Sequence, residues 1–412
     1  MTYLASPFRS TAALAVLIAA LLAAGGCGTP VASGTPTGVP AASPSATRAT
    51  TTPSLAGATP STGTATASPA VIAWTLVMLP DAGAVGTIAD VAALPGLIVA
   101  DGASGQAGEI GIAWVSSDRG ATWASEPQPA AARSAARLVP WVDRVLAFGT
   151  GDGAGNCAHP SAVQVAVRAA TGGWSSAPFD PLFCDGGTAL AATSGGHAAI
   201  VGAGTGDVPY AWSSSDGLHW TDRSAVFANR YPQGLAADAA GFVAFGNDLA
   251  TQALWVARSA DGTSWETPTP LPGLATTSIV GSPVVIGGAI AIFVADRAGA
   301  VGIVQPDAAG AWQSRAVAGL DSATLIRIVA VDGGVAALGG DAAGPKAWIS
   351  ADGVTWRPLA LPQEAVASGA GANLTGVAVA DGRAYLVGQI MAPAGDRGIG
   401  ALWTGPASLL AP

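Results

Sequence analysis

Short apolar segments alternate with turns rich in glycine, serine and aspartate from residue 71 onward. Runs such as Thr188-Ala-Leu-Ala-Ala-Thr and Gly376-Val-Ala-Val-Ala are short, and most of their residues are small. Turn residues such as Ser194-Gly-Gly196 and Asp332-Gly-Gly334 follow them. Short strands joined by glycine turns are typical of hairpins. The pattern therefore predicts an all-β chain of antiparallel strands.

One segment recurs and sets the spacing of these strands. It runs from serine through aspartate and glycine to tryptophan, at residues 116–123, 214–220, 259–265 and 350–356. We call these four segments the Ser–Asp–Trp turns; their aspartates and tryptophans are Asp118 and Trp123, Asp216 and Trp220, Asp261 and Trp265, and Asp352 and Trp356. A short carboxylate accepts unpaired backbone N–H groups, and glycine adopts the positive φ that a tight turn needs. We expect these residues to be structural and to bind no metal.

The closing tryptophans reveal a fixed period. Two eroded copies end at Trp174 and Trp312, so the tryptophans fall at 123, 174, 220, 265, 312 and 356. The steps between them are 51, 46, 45, 47 and 44 residues. A period of this length, with an apolar run on each side of every turn, predicts one four-stranded blade of a β-propeller per step.

The turns resemble the Asp-box (BNR) repeats, S/T-x-D-x-G-x-x-W, of the sialidase-like β-propeller superfamily. The copy at 116–123 fits that spacing, whereas the other three place glycine directly after aspartate and are one residue shorter. The resemblance implies that the turns lie on the outer rim, away from any active site.

The two ends of the periodic region predict how the ring closes. Trp74 begins a strand that lacks its own turn, and a strand near Trp403 ends nine residues before the last residue. Pairing the two strands in one blade removes both sheet edges. We therefore predict seven four-stranded antiparallel blades, with six or eight as the alternatives.

The first 70 residues predict export and tethering. Residues 1–26 contain Arg9 and an apolar run from Ala12 to Ala24, too short to span a membrane, and they end at Cys27 in a sequence that resembles a bacterial lipobox. Cleavage by an ordinary signal peptidase is the alternative to acylation of Cys27. Residues 27–70 are almost entirely Ala, Ser, Thr, Pro and Gly, which predicts a disordered tether. We expect a bacterial, extracytoplasmic, lipid-anchored propeller at 71–412.

Charge and cysteine content narrow the partners. Of 17 basic and 26 acidic residues, the two arginines before residue 71 are the only charged ones there, and Lys346 is the only lysine. Nucleic acid is therefore excluded as a partner, since phosphate binding needs clustered basic residues. Cys157 and Cys184 predict a disulfide in an oxidising compartment, with a metal site that includes His159 as the alternative. We expect a monomer without cofactor that contacts the membrane through its lipid only.

Two segments between predicted blades are candidates for ligand binding. They combine aromatic and polar side chains, which suit sugar rings or peptide strands. The candidate residues are Phe179, Asp180, Phe183 and Asp185 in the first segment and Arg223, Phe227, Arg230 and Tyr231 in the second. The alternative is that the phenylalanines fill gaps between blades.

The resemblance to sialidases implies a catalytic set that this chain matches only in part. Sialidases use three arginines around a substrate carboxylate, a tyrosine nucleophile assisted by a glutamate, and an acid/base residue. Here the predicted inner strands contain two arginines, and the candidates for a catalytic set are Arg137, Arg327, Tyr231, Tyr385 and Glu364. Asp180 and Asp185 are candidates for a carboxylate pair of a retaining glycosidase. We interpret the chain as a binding or scaffold propeller for a carbohydrate or an envelope protein, with a glycoside hydrolase as the alternative.

Overall fold

The computed structural model describes residues 73–80, 85–104, 110–127, 137–152, 161–177, 188–204, 207–271, 278–296, 298–321, 325–391 and 398–412. All of them belong to one compact unit, residues 68–412. The predicted signal, tether and lipidated Cys27 lie outside the described residues, and so do Cys157 and Cys184. The part of the chain that the structure describes contains no disulfide, so the predicted pairing stays a prediction.

The described strands form seven antiparallel sheets. Strand β1 (Thr75–Val77) belongs to the last sheet. Blade 1 contains β2 (Val85–Leu94), β3 (Leu97–Ser104), β4 (Ile110–Ser116) and β5 (Ala124–Pro127). Blade 2 contains β6 (Arg137–Trp141), β7 (Arg144–Asp152), β8 (Ser161–Ala169) and β9 (Trp174–Ser176). Blade 3 contains β10 (Thr188–Ser194), β11 (His197–Ala203), β12 (Pro209–Ser214) and β13 (Thr221–Asp222).

The remaining blades follow the same order from inner to outer strand. Blade 4 contains β14 (Arg230–Asp238), β15 (Gly241–Asp248), β16 (Leu254–Ser259) and β17 (Thr269–Pro270). Blade 5 contains β18 (Ser278–Ile279), β19 (Val284–Ile286), β20 (Ala289–Ala295), β21 (Ala300–Pro306) and β22 (Trp312–Asp321). Blade 6 contains β23 (Leu325–Val331), β24 (Gly334–Asp341), β25 (Gly344–Ser350) and β26 (Arg357–Pro358). Blade 7 contains β27 (Asn373–Ala380), β28 (Arg383–Met391), β29 (Gly398–Pro406) and β1.

The helical elements are short. Helix α1 (Gln363–Ala367) precedes blade 7, and single 3₁₀ turns occur at Ser224–Phe227, Gly369–Gly371 and Ala407–Leu410. Within the described ranges, no helix is long and apolar enough to cross a membrane.

The predicted seven-bladed β-propeller and its closure are confirmed. β1 pairs antiparallel with β29, so that Thr75 lies opposite Thr404 and Val77 opposite Leu402. A strand from the beginning of the chain therefore completes the sheet formed by the last three strands. Blade 5 departs from the regular pattern, because its inner strand is split into β18 and β19, which pair with different parts of β20.

Each hydrophobic core cluster lies between two neighbouring blades. On β3, Ile98 and Ala100 pack with residues of blade 7, whereas Leu97 and Val99 pack with residues of blade 2. Successive side chains of a strand point to opposite faces of its sheet, so both faces of a blade are buried. Apolar runs without strict alternation are the expected pattern for such a sheet.

The Ser–Asp–Trp turns follow the third strand of their blades and satisfy their own backbone. In the turn at 214–220 the Ser214 hydroxyl accepts a hydrogen bond from the Gly217 N–H at 2.8 Å, and an Asp216 carboxylate oxygen accepts two from the following N–H groups, each at 2.8 Å. The indole N–H of Trp220 donates to the Gly217 carbonyl at 3.0 Å. Gly217 has a φ of 78°, and a Cβ at this position would lie 2.6 Å from Val167 of blade 2. Glycine is therefore required both by the turn and by the adjacent blade.

These turns predict an acid-dependent loss of stability. Hydrogen bonds from Thr122, first from its hydroxyl and then from its N–H, lower the pKa of Asp118 to about 2. An aspartate in the unfolded chain has a pKa of about 3.9. The folded state thus binds the proton less readily, and the contribution of Asp118 is present above about pH 4 and lost as the pH falls toward 2. We expect Asp118→Asn to lower the melting temperature at neutral pH by an amount that shrinks between pH 4 and 2, as measured by circular dichroism.

Asp332→Asn is the matched control, because Asp332 is exposed at a hairpin and accepts no hydrogen bond among the described residues. A pH-independent difference between wild type and Asp118→Asn would contradict the prediction.

Candidate functional site

The two faces of the propeller have different components. The seven inner strands all begin at one face, which we call the upper face. The hairpins between the first and second strands and the four Ser–Asp–Trp turns lie at the opposite, lower face, since antiparallel strands alternate in direction. The turns thus lie at the opposite face from the beginnings of the inner strands.

A cavity of about 720 Å³ lies along the axis of the ring. Its described lining comes from the inner strands of blades 2 to 6, at Arg137–Pro140, Leu190–Thr193, Leu235–Ala237, Ser282–Val285 and Arg327–Ala330, with Phe148 and Gly149 from β7. Most of these side chains are small or aliphatic. Each inner strand pairs with a strand on one side only, so the N–H and C=O groups of its other edge face the axis. We call this cavity the axial channel.

A largely buried ion pair joins the inner strands of blades 6 and 1. Arg327 of blade 6 donates two hydrogen bonds to Asp90 of blade 1, with Nη1 at 2.7 Å from Oδ1 and Nη2 at 2.9 Å from Oδ2. The Asp90 side chain is 1% exposed and the Arg327 side chain 14%. Arg327 also donates to the Thr375 carbonyl of blade 7 at 2.8 Å. One side chain therefore joins three consecutive blades.

Asp90 also joins blade 1 to blade 2. Its carboxylate accepts hydrogen bonds from the N–H of Val91 at 2.8 Å and from the N–H of Leu138 at 3.0 Å. Leu138 directly follows Arg137, so Asp90 fixes the beginning of β6 as well as the guanidinium of Arg327. A carboxylate that accepts four hydrogen bonds has its acceptor sites filled.

Irregularities in three inner strands place these groups. The pairing register shifts between Ile88 and Asp90, between Leu325 and Arg327, and between Leu374 and Gly376. A bulge redirects the side chain next to it. A Cβ on Gly376 would lie 2.8 Å from Asp90 Oδ1, so glycine leaves room for the carboxylate.

Arg137 differs from Arg327 because no carboxylate among the described residues contacts its guanidinium. It is the first residue of β6 and lines the axial channel, where part of its surface is exposed and part is covered. Among the described residues, Arg137 has no hydrogen-bond or ion-pair partner. Burial, and next the positive charge of Arg327, lower the pKa of Arg137, while the charge of Asp90 opposes this shift. Within the described part of the chain, the channel therefore presents one guanidinium whose charge is not balanced by a contacting carboxylate.

The structure confirms neither a catalytic nor a binding role for the other residues predicted from the sequence, but it locates six of them. Tyr385 is fully buried, and its hydroxyl donates to the Arg119 carbonyl at 2.9 Å, within the turn at 116–123 on the lower face. Tyr231 lies on β14 and is not among the residues that line the axial channel. Glu364 is exposed on α1. The tyrosines and this glutamate are thus not brought together with Arg137 and Arg327.

The second predicted binding segment is largely structural in its contacts. Phe227 is fully buried and stacks on Trp255, with ring centroids 5.3 Å apart. The alternative reading, that this phenylalanine fills a gap between blades, matches its position in the core between blades 3 and 4. Arg223 donates to the Ser213 hydroxyl at 3.4 Å, and Arg230 donates to the Ala228 carbonyl at 3.3 Å.

The first predicted binding segment, with Phe179, Asp180, Phe183 and Asp185, lies outside the described residues.

Asp90 was missed by the sequence analysis. Its signal is an aspartate inside the apolar run Ile88-Ala-Asp-Val-Ala, where a charged residue must be paired if the strand is buried. Nothing local points to Arg327, which is 237 residues away.

Comparisons with known proteins found similarity only at the level of solved structures. No protein family model and no curated protein matches the chain. Among solved structures, the chain is similar to YCF48 bound to a D1 peptide, with 18% identity over 82% of this chain and 97% of that chain and a TM-score of 0.49. Streptogramin B lyase matches with 14% identity over 80% of this chain and 97% of that one, at a TM-score of 0.47.

Sialidase from Trypanosoma rangeli matches with 13% identity over 79% of this chain and 55% of the sialidase, at a TM-score of 0.43. Identities this low concern the fold alone. The activity of this chain must therefore be argued from its own residues.

The buried pair predicts a specific pattern of stability changes. Breaking such a pair from one side leaves an uncompensated buried charge and costs about 3–5 kcal/mol. We expect Asp90→Leu and Arg327→Met each to lower the free energy of unfolding by about that amount, and the double variant by clearly less than their sum, in denaturant titrations.

Lys346→Met provides the comparison, because it breaks a more exposed contact with Asp341 and should cost less than about 1 kcal/mol. Additive effects of the two channel substitutions would show that Asp90 and Arg327 do not act as a pair.

Proposed function

We propose that the chain is an extracytoplasmic, lipid-anchored binding propeller. In this proposal it recognises an envelope protein through a carboxylate-bearing segment that enters the upper mouth of the axial channel, and it performs no catalysis. The observation that carries the proposal is Arg137, a guanidinium that lines the channel and has no partner among the described residues. Hydrogen bonds between guanidinium and carboxylate groups are among the stronger ones in proteins.

The lining of the channel favours a polypeptide. The inner strand edges offer unpaired N–H and C=O groups, which a polypeptide segment can pair with its own peptide groups. The small aliphatic side chains between them leave room for a main chain. A sugar ring would instead favour an accessible aromatic face. Phe148, the aromatic residue among the described lining, is only 3% exposed, and Phe227 is fully buried.

The proposed location rests on the sequence of residues 1–70. The predicted export signal and the lipobox-like sequence ending at Cys27 support an extracytoplasmic propeller held at the membrane by its lipid. The predicted tether at 27–70 gives the propeller reach toward partners in the envelope. The low count of basic residues supports a protein partner over nucleic acid.

A glycoside hydrolase is the less favoured alternative. Retaining catalysis would require a nucleophile and an acid/base residue on either side of one bond. Tyr385 instead bonds to a lower-face turn, and Asp90 is occupied by Arg327 and two N–H groups. These contacts support the binding function, because the Tyr385 hydroxyl and the Asp90 carboxylate are already used in hydrogen bonds within the protein.

A paired peptide array tests the binding proposal. The full chain, in detergent, is applied to acidic peptides and to the same peptides with Asp and Glu replaced by Asn and Gln. A charge-assisted hydrogen bond contributes about 1.5–3 kcal/mol, so we expect roughly tenfold or stronger preference for the carboxylate peptides. Arg137→Gln should abolish this preference, and Arg315→Gln, which changes an exposed arginine on β22 of blade 5, should retain it.

Equal binding by wild type and Arg137→Gln would overturn the proposal. A glycan array run beside the peptides covers the carbohydrate alternative, which would gain support if glycans bind and acidic peptides do not.

We also expect no turnover of fluorogenic sialosides or other fluorogenic glycosides by the full chain, measured as released fluorophore. Turnover that is lost in Tyr231→Phe or Tyr385→Phe would establish the hydrolase alternative. Asp332→Asn serves as the control substitution, since it changes an exposed hairpin residue.

A further inference from the structure

The seven inner strands differ in how regular their edges at the axial channel are. The inner strand of blade 5 is split, and the pairing register shifts within β2, β14, β23 and β27. β6 pairs without a shift but contains Pro140. β10 pairs with β11 from Thr188 to Ser194 without a shift and contains no proline. Among the inner strands that the structure describes, β10 is therefore the one with a regular and continuous edge.

The hairpin of blade 3 decides which peptide groups of β10 face the axis. Ser194 and His197 are the last pair of β10 and β11, and a two-residue turn joins them. A tight turn of this kind bonds the C=O of its first residue to the N–H of its last, and hydrogen-bonded pairs alternate along an antiparallel ladder. The N–H and C=O groups of Ala192 therefore point to β11, whereas those of Ala191 and Thr193 point to the axis.

Blade 2 follows the same rule, but the edge of its inner strand is occupied. Its hairpin has the same two-residue turn, so the peptide groups of Leu138 and Pro140 point to the axis. The Leu138 N–H donates to Asp90 at 3.0 Å. Pro140 has no N–H, and its carbonyl accepts a hydrogen bond from the Thr193 hydroxyl at 2.7 Å. β6 therefore offers no free N–H group to a further strand.

The segment that separates β18 from β19 contacts two other inner strands. Gly281 has a φ of 71°, and a Cβ at this position would lie 3.2 Å from the backbone nitrogen of Ile328 in β23. On the other side, a Cβ on Gly234 in β14 would lie 2.7 Å from the ring of Pro283. This segment thus covers part of the inner strands on both sides of blade 5. Within the described ranges, no hydrogen bond from another blade reaches the peptide groups of β10.

Arg137 lies beside the open edge of β10. Both β6 and β10 begin at the upper face, and the contact between Thr193 and Pro140 fixes their relative level. Arg137 and Leu190 each precede these contact residues by three positions, so they lie at about the same level, and both line the axial channel. Ala191 packs against the core between blades 2 and 3. A residue paired opposite Ala191 would therefore point its side chain toward blade 2, the blade that contains Arg137.

We infer that β10 is the docking strand of the axial channel: an extended polypeptide segment pairs with the free edge of Thr188–Ser194 through the peptide groups of Ala191 and Thr193, and a carboxylate side chain of that segment binds Arg137. The inference rests on the proposed function and adds the strand that is paired and the conformation of the partner. In such pairing the main-chain hydrogen bonds supply affinity, and the pockets for alternate side chains supply specificity.

The test uses blocked seven-residue peptides of Thr and Val with one central Glu, titrated into the full chain in detergent. Two N-methylated sets are compared with the parent peptide. One is methylated at the Glu and at the residues two positions away, and the other at the residues in between. A strand that pairs along one edge uses only alternate N–H groups, so one set should lose about tenfold or more in affinity and the other should bind like the parent. Loss in the first set indicates antiparallel pairing with β10, and loss in the second indicates parallel pairing.

Ala191→Pro tests the strand itself, because it removes one N–H from the open edge and keeps the pairing with β11. Proline is tolerated where its missing N–H would face a strand edge, as Pro140 does in β6. The variant should fold and should lose about fivefold or more in affinity for the parent peptide. Ala330→Pro is the matched control, since it removes an N–H at the inner edge of β23 and lines the same channel, and it should bind as wild type does.

Hydrogen exchange followed by NMR gives a readout that needs no variant. In the free chain the amides of Ala191 and Thr193 should exchange faster than that of Ala192, which pairs with β11. Saturation with the parent peptide should slow the exchange of Ala191 and Thr193 by about tenfold or more and leave that of Ala330 unchanged.

Several results would overturn the inference. They are equal binding by the two methylated sets, equal binding by wild type and folded Ala191→Pro, and no binding of any peptide. If Ala191→Pro does not fold, the exchange measurement decides, and unchanged exchange at Ala191 and Thr193 overturns the inference. Failure of the proposed function is distinguished by Arg137→Gln: equal affinity of this variant, with the alternating effect of methylation intact, would remove the carboxylate contact and leave the pairing with β10.

Discussion

The structure depends on the burial of both faces of every blade. A sheet whose strands are apolar on both sides needs a neighbour on each side, and Leu97 and Ile98, adjacent on β3, already pack into two different cores. A row of such sheets would leave two uncovered faces at its ends, which only a closed ring avoids. The short pairing of β1 with β29 supplies the outer strand of the last blade and thus joins the beginning of the propeller to its end.

In the closed ring, the turns that stabilise the blades lie on the lower face, and the residues proposed to bind a partner lie around the axis. On the lower face, the four Ser–Asp–Trp turns satisfy their own N–H groups, and the glycine of the turn at 214–220 packs against the adjacent blade. Around the axis, the inner strands converge with one edge unpaired, so peptide groups and small side chains surround a channel. The ion pair of Asp90 and Arg327 joins blades 1 and 6, which lie on either side of blade 7. Arg137 lines the same channel and has no ion-pair partner among the residues that the structure describes.

The internal carboxylate also distinguishes this site from the catalytic set that the sequence resemblance implies. The sequence resembles sialidase-like propellers, in which arginines surround the carboxylate of the substrate. In this chain Asp90 already occupies the guanidinium of Arg327, and Tyr385 is buried in a contact with a lower-face turn. The geometry that remains at the axis supports the binding of a carboxylate-bearing segment.

The sequence by itself determined the number of blades, the closing strands and the chemistry of the turns. The number of blades follows from the period of the tryptophans, and the strands follow from their alternation with turns. The chemistry of a turn depends on an aspartate that accepts hydrogen bonds from N–H groups two or three residues later. It also placed Arg137 and Arg327 on inner strands. Only the tertiary structure decided that Arg327 is paired whereas Arg137 has no partner among the described residues, that Phe227 and Tyr385 are buried, and that Asp90 joins blades around the axis. These outcomes depend on contacts between blades separated by up to hundreds of residues, and on bulges that redirect single side chains. The aspartate inside the apolar run at 88–92 signals a paired charge, but the local sequence does not identify its partner.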